Sequence, residues 1–569
     1  MFSSLQETAV LFASNATVFS LVILFAFVLI AIPKNNAAEK LLEKVEASFA
    51  AFSRHKSFAM LALFFSVIAL RLSVLHFLPI PIPGIHDEFS YLLMGDTFAH
   101  GRLANPSHAM WRSFDTFHEN WLPTYSSMYP PAQGLVLAFG QILGNPWIAV
   151  LFSDAAMCAA IFWMLQAWMP TRWALLGAVL AALKLGIASY WMNSYWGGAA
   201  AAIGGALVLG ALPRIRKHAR PRDALALALG IAILANSRPY EGLLLCIPVA
   251  IWLAAWLTDR VKTSHMPSGV RLPRLLVPLT LCLALTAGTM AYYNFRLTGH
   301  SLLFPYTLNV KTHVTGPIFL WQYAKPRMHY DNQQFEDFYN GWEREEYDHT
   351  WKSVIAVSRV KWLRLKSVFF WPATLLLLPA FLFVFRDKRI RLLLYVLSIC
   401  TAGIFVAVWS NPHYAAPITC VIFALLVQSI RHLRAWKFPG RPLGAAISRA
   451  LVILLAVQTF ANVRNHICDP IGWTCTGDVS RVAIIQRLTQ TPGKHLVIVR
   501  YGDDHNIHDE WVFNGADIEG AKVLWARELD PEQNAKLVHY FSDRSIWLVE
   551  PDSDNEELEP YAVAPTPAP

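Results

Sequence analysis

His86-Asp87-Glu88 open the segment HDEFSYLLMGDTFAHGRLANP, directly after an apolar run ending at Leu78-Pro79. Two adjacent carboxylates just beyond a hydrophobic stretch put acid–base chemistry at a membrane surface, where it can meet a lipid-borne substrate. A positioned carboxylate base is worth roughly 10²–10⁴-fold in rate. Asp87 and Glu88 are therefore the candidate catalytic pair. The same segment carries Tyr91, Asp96, His118, Glu119 and Tyr129, the last before Pro130-Pro131. Further polar groups interrupt apolar runs elsewhere: Asn193 in NSYWGG, Arg238 and Glu241 in NSRPYEG, His413 and Tyr414 in SNPHYAAP. Non-helical backbone and charge at membrane depth are tolerated where they line a protein cavity. Arg238 offers bidentate contact to a phosphate, and His413 one more donor. The pattern thus reads as a carboxylate base with cationic partners for a phosphate. No metal cluster is evident from ligand spacing, so no metal ligand is assigned, although a divalent cation is compatible with the site. Walker, nucleophile-elbow and zinc-helix motifs are absent from the sequence.

These groups need a membrane scaffold, and the composition supplies one. The 569 residues are 55% hydrophobic and 15% charged, against about 25% charged in soluble domains. The 21 Trp and 34 Phe suit membrane interfaces. The net charge of +9 is spread over short connections, where it sets topology rather than nucleic-acid binding. Cys158, Cys246, Cys282, Cys400 and Cys420 lie in apolar runs and read as inert. Cys468 and Cys475, in CDPIGWTC, are expected to form a disulfide in an oxidising compartment. Residues 1–15 lack a basic leader, so no cleavable signal peptide is expected.

Twelve apolar segments approach the length of about 20 residues needed to cross a bilayer: 16–33, 57–78, 147–168, 173–190, 196–212, 223–237, 240–257, 274–294, 367–385, 391–409, 414–430 and 443–462. The basic connections 34–56, 213–222, 258–274, 386–391 and 431–441 are assigned to the cytoplasm by the positive-inside rule. Parity then makes 131–143 a surface or re-entrant element. It places 79–146, 191–195, 238–239, 295–366, 410–413 and everything after 463 outside. The basic, amphipathic stretch at 352–366 falls outside and reads as an interfacial helix able to meet lipid phosphates. Strands are expected at 494–502 and 544–552, with an Asp-Pro-initiated helix between them. The predicted architecture is a polytopic α-helical membrane protein with a small carboxy-terminal extracytoplasmic α/β domain. Residues 1–56 form an extra span with its basic connection, 57–462 the catalytic membrane domain, and 463–569 the α/β domain with a disordered Pro/Ala/Glu tail.

The chain resembles the GT-C superfamily of membrane glycosyltransferases, near the protein O-mannosyltransferase and aminoarabinose transferase group. Four features carry the likeness over residues 57–430: Asp87-Glu88 with Tyr91 and the following Gly101, Leu103 and Pro106; Tyr129-Pro130-Pro131; the turn at Asn193; and His413-Tyr414 with Pro417. It departs from that group in having Tyr129 where lysine is common and no Asp in the 191–198 turn. The resemblance implies transfer of a sugar from a polyprenyl-phosphate donor to a glycan, lipid or protein acceptor, by single displacement with inversion. Asp87 would be the base, Glu88 its charge-tuning or acceptor-binding neighbour, and Arg238 the contact to the lipid phosphate. Tyr91, Tyr129, Asn193, Glu241, His413 and Tyr414 would complete the substrate site, which faces the periplasm from the inner membrane. A flippase for lipid-linked saccharides would show a repeat between halves, and none is convincing here. A non-catalytic assembly subunit would have no need of Asp87.

Overall fold

The computed structural model describes residues 36–262, 272–437, 443–464, 477–553 and 557–561. The expected span at 16–33, the Cys468–Cys475 pair and the end of the tail lie outside the described residues. Seven described helices are long and apolar enough to cross a membrane: Lys56–Ser73, Pro146–Trp168, Ala199–His218, Pro239–Asp259, Pro273–Thr298, Pro412–Arg434 and Leu443–Val463. Three other expected spans are helices of only 15 or 16 residues, Thr171–Leu185, Pro221–Ala235 and Arg391–Val406. At 1.5 Å per residue these reach about 22–24 Å, short of a hydrocarbon core of about 30 Å. Irregular backbone such as 186–198 completes the distance, and it is almost wholly buried, so its polar groups are shielded from lipid. The twelfth segment, 367–385, is not a straight helix. Trp351–Phe369 and Pro372–Val384 meet at 97°, with Pro372 at the corner.

That corner fits an interfacial helix turning into the membrane, and Trp351, Ile355 and Trp362 on it are exposed. Two of its basic residues do not face lipid, however. Lys361 is buried and donates to the carbonyls of Phe405 and Ala407, and Arg364 donates to Asn411. The run 131–143 forms a 12-residue helix, Pro131–Ile142, too short to cross. Its Leu135, Phe139 and Ile142 are exposed. At one end of the bundle Glu46 accepts from both Arg434 and Arg449. The helix ending at Arg434 begins beside His413, so the candidate site lies at the other end.

Helix α1, His86–Ala99, carries the acidic pair at its amino end. It crosses α2, Pro131–Ile142, at close range through two glycines. A Cβ on Gly95 would lie 2.8 Å from that of Leu137, and one on Gly134 would lie 2.3 Å from Met94 Sδ. Between these helices runs a three-stranded antiparallel sheet, Asn105–Pro106 (β1), Glu119–Asn120 (β2) and Thr124–Ser127 (β3), in the order β1-β3-β2.

The carboxy-terminal unit has a central strand β4, Lys494–Val499, flanked in parallel by β5, Val523–Arg527, and β6, Arg544–Val549. Glu559–Pro560 adds a short antiparallel edge, inside a stretch expected to be tail. Strand β5 has no counterpart in the sequence reading, because VLWAR is brief and follows a polar turn. Helix Pro531–Tyr540 starts on Asp530, which caps Gln533 N. The unit packs along α1: Ala516 N donates to Asp96, Phe513 stacks on Phe89 with ring centroids 4.6 Å apart, and Tyr125 OH donates to Asn514 O.

Candidate active site

Asp87 occupies the first turn of α1, where the aligned peptide dipoles favour a negative charge. Its side chain is 20% exposed. Tyr129 OH donates to Asp87 Oδ1. His86 Nδ1 and His118 Nε2 lie 3.5 and 3.8 Å from Oδ2. Burial alone would raise the carboxyl, yet these neighbours hold it well below the usual carboxylate range, so Asp87 is ionised at neutral pH. Burial lowers His118 to about 3 and His508 to about 4, leaving both imidazoles neutral.

Glu88 behaves differently. It is fully buried, and its two oxygens accept from the backbone N–H groups of Tyr195 (2.9 Å) and Gly84 (3.0 Å). Burial raises it to about 7 against those bonds. Through these bonds Glu88 staples the approach to α1 onto the 186–198 segment, beside the charge-tuning or acceptor-binding part expected of it. Asn193 is likewise bonded within its own segment and to Arg71. Its Oδ1 accepts from Arg71 at 2.8 Å, and its Nδ2 donates to the carbonyls of Ile187 and Ser189.

The remaining expected residues do converge. Tyr91 and Tyr129 stack at 4.3 Å. Arg238 lies over the ring of Tyr414 at 4.3 Å and within electrostatic reach of Tyr91, Tyr129 and Glu241. His413 is buried, with Nδ1 2.9 Å from Tyr190 OH, and lies in the fields of Arg238 and Asp87. The anionic Asp87 and the Arg238 guanidinium thus lie about one group of phenol rings, with Tyr91 and Tyr414 in the fields of both.

Sequence spacing missed one feature of this site. His86, Asp87 and His118 each offer a ligand atom, and these atoms lie within 4.8 Å of one another. Both ring nitrogens of buried His86 lack a hydrogen-bond partner. Two imidazoles and a carboxylate fit a transition-metal ion better than Mg²⁺. The signal was hidden because His118 reaches Asp87 only through a fold-back at a left-handed residue (φ +63°), from which β2 pairs with β3.

No protein-family model matches the chain, and no curated protein matches it. Solved structures resemble its course. ArnT of Cupriavidus metallidurans, in the apo state, is 15% identical, with 86% of this chain and 93% of that one covered and a TM-score of 0.47. The Archaeoglobus fulgidus oligosaccharyltransferase in the apo form is 11% identical, with 78% and 63% covered and a TM-score of 0.42. The mycobacterial arabinofuranosyltransferase AftD is 14% identical, with 86% and 35% covered and a TM-score of 0.46. The chain thus spans under two thirds of the archaeal structure and about a third of AftD.

Proposed function

We propose that the chain is a GT-C-type membrane glycosyltransferase that moves a sugar from a polyprenyl-phosphate donor to an extracytoplasmic acceptor. The observation that carries this is the Asp87 carboxylate, ionised and partly exposed, with Arg238 across the phenols of Tyr91 and Tyr414, which lie in the fields of both. Asp87 would accept the proton of an acceptor hydroxyl as that oxygen attacks the anomeric carbon. The bond from carbon to phosphate oxygen breaks on the opposite face, which inverts the centre. Arg238, fixed on the Tyr414 ring, would hold the departing phosphate through paired N–H bonds. Arg364, bonded to Asn411 beside His413, is a second guanidinium near the site. Tyr129 keeps Asp87 aimed and charged. His86, Asp87 and His118 could hold a divalent cation, which when bound would add positive charge where the acceptor hydroxyl loses its proton.

In this proposal the protein sits in the inner membrane with α1 and the carboxy-terminal unit in the periplasm. The acceptor is a glycan, lipid or protein. The test is transfer by purified protein in nanodiscs from a panel of radiolabelled polyprenyl-monophosphate sugars, using envelope extract as acceptor source. Product from wild type and none from Asp87→Asn at an equal melting temperature supports the assignment. Equal turnover by both defeats it. Metal analysis of the protein as purified, followed by chelation and add-back of Mn²⁺ or Zn²⁺, decides whether the three-residue cluster binds an ion.

A further inference from the structure

Parallel α/β sheets bind ligands beyond the carboxyl ends of their strands, beside the strand where crossovers diverge. In the carboxy-terminal unit that strand is β4, flanked by β5 and β6, and the segment that leaves its carboxyl end reaches the neighbourhood of Asp87. The segment leaving β4 carries His508 against Trp342, ring centroids 4.6 Å apart, and to 6.0 Å from His86. Trp342 closes a π-helical turn, Glu336–Trp342, a rare backbone form found mostly at functional sites. It packs 4.5 Å from Trp409, whose indole Nε1 is buried without a hydrogen-bond partner. Phe338, on the same turn, lies 5.3 Å from His86. Three distant segments therefore meet beside Asp87 as one aromatic wall edged with N–H groups. A sugar ring matches this chemistry, since its C–H faces suit an aromatic surface and its hydroxyls accept from N–H donors.

We propose that His508, Trp342 and Trp409 form the subsite that receives the transferred sugar, so that the carboxy-terminal unit supplies one wall of the catalytic site. This rests on the donor assignment above and deepens it. The test measures binding to full-length protein in nanodiscs of two short-chain probes, a polyprenyl monophosphate bearing one sugar (hexose or pentose) and the same lipid without it. Wild type is expected to prefer the sugar-bearing probe. His508→Ala and Trp342→Ala are each expected to lose about tenfold of that preference, the scale of one hydrogen bond, while binding the bare lipid as wild type does. Trp342→Phe should keep part of it. Melting curves establish that the variants fold, and His508→Gln replaces an alanine variant that does not. Intact preference in folded variants, or a wild type that binds both probes equally, overturns the subsite and leaves the phosphate assignment standing. A wild type that binds neither probe overturns the donor assignment itself.

Discussion

Asp87, on α1, and Asp115, on the loop that follows it, are both largely buried, yet the first is held charged and the second neutral. Asp87 has a phenol donor, two imidazoles beside it and a partly exposed side chain. Asp115 sits in a sealed junction among that loop, the Gln334 turn and the carboxy-terminal unit. The nearby cation, Arg527, is committed to Glu510 at 2.9 Å and to Gln334 at 2.8 Å. Burial therefore raises Asp115 to about 8, with Asp331 and Glu510 adding to the rise and Arg527 opposing it. Glu119 is raised well above its usual range, and both its oxygens lack partners. Glu510 goes the other way despite its burial, because Arg527 and Tyr501 stabilise its charge. Burial alone thus does not make a base: a carboxylate keeps its charge where donors point at it and loses it where they are already used.

The contrast can be broken in four ways. Asp87→Asn should cost roughly 10²–10⁴-fold in turnover with no change in melting temperature; a stability loss instead would make Asp87 structural. Arg238→Lys keeps charge but not the planar fork, and should weaken donor use by about 10–100-fold, the range for a hydrogen bond to a charged group. Kinetics against donor concentration check this, and an unaltered donor dependence would remove Arg238 from the phosphate site. Glu88→Gln sets an amide N–H₂ against a backbone N–H, so it should destabilise by about 1–3 kcal/mol. Turnover per folded molecule should survive, and activity lost at full stability would show a chemical role for Glu88.

The last test concerns Asp115 and pH. A free carboxyl ionises near pH 4, whereas the folded one holds its proton to about 8. Between those values the native state binds more protons than the unfolded state, so stability falls as pH rises and levels off above 8. Asp115→Asn should remove that slope. Its melting advantage over wild type should grow from pH 5 to 8, and a constant difference across that range would place the charge elsewhere.

Much of this was legible in the chain. The hydropathy located the helices. The reading of 131–143 as too short to cross matched a 12-residue helix, and Asp530-Pro531 marked a helix start. Span lengths were less legible. Hydropathy counts apolar residues whether they are helical or not, so 173–190 looked continuous although its helix stops at Leu185. The bonds that Glu88 and Asn193 make were not legible, because a sequence shows that a group is polar but not whether a backbone group already satisfies it.

By itself the sequence determined that the chain is built for a membrane, that acid groups stand beside an apolar run, and that an arginine breaks another. Periodicity and composition act locally, and they suffice for those features. Tertiary structure alone decided which of two adjacent carboxylates stays charged, that His118 folds back onto Asp87, and that His508 arrives from a separate unit. Those outcomes depend on distances between segments far apart in the chain. A carboxylate's ionisation follows from the donors and solvent around it, which no local pattern specifies.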